Sequence, residues 1–134
     1  MQKMLIVTLA AVLLTAGGLL AQSDADYQGY MKAVAASNGA MGKALAAKNG
    51  SMAAAEAEKL VGLFKQVEAF WQARNTADAV NFARQAGAAA GAVAKSASAG
   101  SLDQAMADAK GVGPNCGGCH MAHREQTDAG FNIK

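Results

Sequence analysis

Ala77-Asp78-Ala79-Val80-Asn81-Phe82-Ala83-Arg84-Gln85-Ala86-Gly87-Ala88-Ala89-Ala90-Gly91-Ala92-Val93-Ala94-Lys95-Ser96-Ala97-Ser98-Ala99-Gly100 contains no proline and no run of β-branched residues. Alanine loses no side-chain entropy in a helix, so the stretch predicts a helix over about 77–99. Thr76 is placed to cap its start and Gly100 to stop it. Its packing positions are Val80, Phe82, Ala86, Ala90 and Val93. The whole chain has this character: it holds one proline, and about a quarter of its residues are alanine. An all-α fold is expected.

Working outward, a first helix is expected from about Asp24 to Ala47. Its stripe of Tyr27, Met31, Val34, Asn38, Met41 and Leu45 steps by threes and fours. Asp24 and Asp26 sit in its first turn, the end that favours negative charge, and Asn49-Gly50 ends it. Ser51 is a candidate cap for a second helix packing through Leu60, Leu63, Phe64, Val67 and Phe70 or Trp71. Ser101-Leu102-Asp103-Gln104 has the form of a capping box and opens a fourth helix. That helix is expected to reach about Asp128, with an irregularity at 111–114. Four such helices with short links form an up-down-up-down antiparallel bundle. The start of the first, the end of the second, the start of the third and the end of the fourth then meet.

The first residues read differently. Lys3 is followed by an apolar run from Met4 to Leu14, broken only by Thr8, then by the small residues Thr15 to Gly18 and by Leu19-Leu20-Ala21. This order is that of a secretory signal peptide, with cleavage expected after Ala21. The run is short of the ~20 residues that cross a bilayer comfortably, so no stable membrane insertion is expected after processing. The domain is then 22–134, and in a bacterium its destination is the periplasm.

Both cysteines lie in Cys116-Gly117-Gly118-Cys119-His120. C-x-x-C-H sets two thiols one helical turn apart, where they can bond the two vinyl groups of a haem, with the next histidine under the iron. One covalently bound haem c is expected near the C-terminal end of the fourth helix. Tyr27, Met31, Phe70, Trp71 and Phe82 fall at the same end of the bundle, which would gather most of the aromatic mass around it.

His120 fills one axial position. His123 lies three residues along the same helix and cannot reach the other face, which leaves methionine as the softer alternative. At ~1.5 Å of rise per residue, Met106, Met41 and Met52 are too far from His120, and Met121 adjoins it on its own helix. Met31 alone stands on a facing helix at the right height. If Met31 bonds the iron, the centre has no vacant position and carries electrons at a raised potential. If it only shields that face, the iron can bind a diatomic gas such as NO or CO.

The mature chain resembles the cytochrome c′ family. The likeness rests on Tyr27-x-x-x-Met31-Lys32, on Phe70-Trp71, and on Cys116-x-x-Cys119-His120-x-x-His123-Arg124. The resemblance implies a four-helix haem bundle, thioethers at Cys116 and Cys119, a proximal bond from His120, and Arg124 close to the proximal face. Met31 falls where low-spin members place a ligand and high-spin members a non-bonding apolar residue. Tyr27 stands where many members have an arginine near the propionates, and His123 where an aromatic residue is common. Members often pair through their first two helices. A homodimer is compatible with this, and with the small residues Gly87 and Gly91.

Other chemistries fit less well. A zinc site draws its ligand pairs from separated segments, whereas Cys116, Cys119, His120 and His123 crowd together. Thioredoxin-like use of C-x-x-C needs a βαβ setting. No nucleophile triad, carboxylate pair or phosphate loop is evident, so an enzyme is not expected. The net charge of +2 is too weak a field for nucleic acid. The expected partners are redox proteins.

Overall fold

The computed structural model describes residues 21–134, and the expected leader, apart from Ala21, lies outside them. The described chain is 78% helical. Its elements are α1 (Asp24–Ala46), α2 (Gly50–Ala73), α3 (Ala77–Ser98), α4 (Leu102–Ala109), α5 (Val112–His123), β1 (Arg124–Thr127) and β2 (Gly130–Ile133). The first three helices and the broken pair α4–α5 make four legs packed into a bundle. None of the described helices is long and apolar enough to cross a membrane.

Local chemistry sets the ends of the legs. Ser23 caps α1 through a capping box: Asp26 N–H donates to Ser23 Oγ (3.1 Å), and Ser23 N–H donates to Asp26 Oδ2 (2.8 Å). The second cap is not the expected Ser51. Asn49 Oδ1 accepts from Met52 N–H (3.0 Å), so Gly50 is already helical. A side chain at Gly50 would meet Ala97 O at 3.0 Å and Leu102 Cδ2 at 3.1 Å, where the start of α2 crosses the α3–α4 corner. Neither Thr76 nor Ser101 makes a side-chain cap bond, so the expected Ser101/Gln104 box does not form. Gln104 Nε2 and Ser96 Oγ instead donate to Asp108, at 2.8 and 2.6 Å. The expected irregularity is present between α4 and α5, and Pro114 then falls in the first turn of α5, where no backbone donor is needed.

The core has two parts. The larger holds Val34, Met41, Leu45, Leu60, Phe64 and Val93 among alanines of α2 and α3. The smaller gathers Tyr27, Val67, Phe70, Trp71, Ala79, Ala83 and Cys119. Tyr27 stacks on Phe70 at 4.4 Å, and Trp71 meets both rings edge-on at 5.5 and 5.1 Å. The start of α1, the end of α2, the start of α3 and the end of α5 thus meet, as the topology requires. Phe70 is fully buried, with the Arg74 guanidinium 3.6 Å from its ring centre. Phe70→Ala is expected to cost ~3–5 kcal/mol, read as a lower denaturation midpoint in urea.

Two further expectations need correction. The last helix stops at His123, not near Asp128, and 124–133 form an antiparallel hairpin pairing Arg124 with Ile133 and Thr127 with Gly130. The fold is therefore a helical bundle with a small β appendage. On α3 the buried face is Ala79, Ala83, Ala86, Ala90, Val93 and Ala97, while Val80 and Phe82 are only half-buried. Gly87 and Gly91 serve packing inside the chain: side chains there would lie 3.3 Å from Phe64 Cβ and 3.8 Å from Val61 Cγ2. Of the two, Gly87 is the one that brings α3 close to α2.

Candidate functional site

Helix α5 packs chiefly on α3 and scarcely touches α1. The first and last legs therefore stand apart at the end where the aromatic cluster sits. A cavity of about 730 Å³ opens between them. Helix α1 contributes Tyr27, Gln28, Met31 and Lys32, and α5 contributes Cys116, Cys119, His120 and His123. Phe64 and Val67 of α2 and Phe82 of α3 close the back, while Arg124 and Ala129–Ile133 of the hairpin form a further wall. All seven residues singled out from the sequence (Tyr27, Met31, Phe82, Cys116, Cys119, His120 and Arg124) line this one cavity.

Two free thiols face it, Cys119 buried and Cys116 half-buried. Burial raises the pKa of both, that of Cys119 to about 11, with the charges of Asp78 and Cys116 adding to it. Both are thiols at neutral pH, which does not suit redox exchange through a thiolate. Between them, Gly117 faces open space, but a side chain on Gly118 would lie 2.6 Å from Phe82 Cε1. Of the two glycines only Gly118 meets a neighbour, the Phe82 ring, which is a wall of the cavity.

Burial, and then the charge of Arg124, lower the pKa of His120 and favour its neutral form, the one able to bond a metal. Met31, half-buried, packs against both core clusters from the opposite leg. Of the other methionines, Met41 is buried in the larger core, and Met52, Met106 and Met121 are exposed, Met121 at 82%. Burial, and then the charge of Cys119, push the Tyr27 phenol up to about 12, so it stays protonated.

His123 is occupied elsewhere. Its Nε2 lies 2.8 Å from Asp78 Oδ2, and its ring stands 5.0 Å from that of Trp71. The bond from His123 is the main cause of a lowered Asp78 pKa. An ionised Asp78 can only accept, so Nε2 carries the proton. This contact ties the end of α5 to the start of α3. A carboxylate stabilised in the fold supports stability above its ordinary pKa of 3.8 and loses that contribution as pH falls through the lowered value. Asp78→Asn should therefore be less stable than wild type at about pH 6, with the gap closing near pH 2 in urea titrations.

Arg124, at the cavity wall, places its guanidinium 4.1 Å over the Phe131 ring. Sequence reasoning missed the hairpin wall and the polar rim residues Gln28 and Asn115. Gln28 could have been found from its place one residue after Tyr27; nothing in the sequence marks the hairpin residues. Among the described residues, no three His, Cys, Asp or Glu side chains gather as a site for a bare metal ion. Comparison with known protein families, with characterised proteins and with solved structures finds no match.

Proposed function

We propose that this chain is an exported c-type cytochrome of the cytochrome c′ kind, which carries single electrons on one haem held in the cavity between α1 and α5. The observation that carries this reading is that Cys116, Cys119, His120 and Met31 line a single cavity. Its volume lies within the ~300–1,000 Å³ usual for cofactor sites. Its walls also suit a flat apolar group. Aromatic rings flank it, two unpaired thiols one turn apart stand on one side, and a neutral imidazole follows them.

In this reading Cys116 and Cys119 would hold the haem through thioethers, His120 would hold its iron from α5, and Met31 would add a thioether sulfur from α1. The haem, when bound, supplies a one-electron ferric/ferrous couple. The rest falls to the chain. Phe82, Val67 and Tyr27 exclude water from the cavity, the protonated Tyr27 adds no charge to it, and Arg124 sets a positive charge at its wall. Asp78 and Trp71 fix His123, and with it the last turn of α5 that bears His120. No residue need take part in bond-making with a substrate, so the role is that of a carrier between redox partners in the periplasm.

A second reading keeps the haem and changes the ligand set. Met31 is only half-buried and could turn aside, leaving a position for NO or CO. Absorption spectra of oxidised, reduced and CO-treated reduced protein distinguish the two. A haem spectrum unchanged by CO supports the electron carrier, and ready formation of an adduct supports gas binding. A colourless product would overturn both.

A further inference from the structure

The hairpin joins the two legs that otherwise leave the cavity open. On one side it continues from α5, and Lys134 N–H donates back to His123 O (3.1 Å). On the other, Gln28 Nε2 of α1 donates to Phe131 O (2.7 Å). Ile133 packs against the aromatic cluster, while Phe131 remains 46% exposed beneath the Arg124 guanidinium. The second strand and the turn before it line the cavity.

Two four-residue strands do not hold together alone in water, so this hairpin depends on its docking. The docking is slight. One neutral side-chain bond at an exposed position reaches across to α1, and one aliphatic side chain is partly buried. Segments with few buried contacts open locally more often than the helices they rest on. The change of backbone at Arg124, from helix to extended (φ −123°, ψ 134°), is the natural hinge.

We propose that residues 124–133 are a strap across the mouth of the cavity, latched to α1 by the Gln28–Phe131 hydrogen bond, and that its opening limits how fast small solutes and water reach the bound cofactor. This rests on the haem reading above. Closed, the strap keeps the site apolar, which favours the less charged reduced state; open, it admits water and lowers the potential. The hairpin thus helps decide whether the site only passes electrons or also admits ligands.

The test uses the full haem-loaded protein with Gln28→Ala, which removes the latch, and with Gly130→Val, which strains a backbone position at φ +120°. Amide hydrogen exchange should accelerate across 124–134 and not in α2 or α3. Paired with Met31→Ala, so that the distal side chain does not limit the rate, both replacements should speed imidazole uptake several-fold over Met31→Ala alone. In the Met31 protein both should lower the reduction potential. Faster hairpin exchange with unchanged imidazole uptake and unchanged potential would overturn the strap as a barrier. Unchanged hairpin exchange in both variants would overturn the latch. A product without haem would defeat the cytochrome reading instead, and hairpin exchange in that same chain would still read the docking.

Discussion

Replacing Cys116 and Cys119 together with alanine is expected to give a chain that is colourless once denatured, with the intact mass of the bare processed polypeptide. The two sulfurs line the cavity wall one turn apart, and neither is paired with the other. Without them His120 and Met31 could hold a haem only through iron, and denaturation would release it. The effect should also reach the fold. Alanine fills little space, and residues of both core clusters line the cavity. A haem bridging them would bury apolar surface at ~25 cal/mol per Å², a contribution the variant loses. The double variant should therefore unfold at a clearly lower temperature, as well as give up any haem when it unfolds. A coloured product that keeps its haem through denaturation would contradict the assignment of the thioethers.

Met31→Ala is expected to have the second largest effect, and a different one. The covalent haem should remain, because neither thiol is touched. If the thioether bonds the iron, its loss converts a six-coordinate low-spin centre into a five-coordinate high-spin one. The spectrum then shifts, the potential falls, and CO binds where it did not before. Stability should drop by less than the ~2–5 kcal/mol typical of truncating a fully buried methionine, because Met31 is only half-buried. Spectra identical to those of wild type would remove Met31 from the ligand set and favour the gas-binding reading.

The bundle was largely legible in the sequence, for identifiable reasons. Helix-forming alanine, Asp24 and Asp26 suited to a first turn, and breaks at Asn49-Gly50, Asn75-Thr76 and Gly100 left little else for the legs to be. The positive φ values at Lys48, Asn75 and Gly100 fall at or beside those breaks. Shorter-range chemistry was less legible. Ser51 and Ser101 have the right composition for caps, but the backbone uses Asn49 at the second helix and leaves Ser101 without a bond. Arg124-Glu125-Gln126 reads as good helix, and what makes it a strand is distant in sequence: Gln28 holding Phe131 and Ile133 settling on the aromatic cluster. Pairing of this kind has no periodic signature in so short a segment, and tertiary contacts override propensity. The candidate site was more legible than its surroundings, because C-x-x-C-H fixes three positions by spacing and helix rise selects Met31 from the other leg.

The intact mass of the exported, denatured chain tests the central claim most directly. A polypeptide processed near Ala21 and heavier by one haem, with the added mass mapping to a peptide containing Cys116 and Cys119, is the predicted result. A mass equal to that of the polypeptide alone, from cells able to attach haem to other exported proteins, would contradict it.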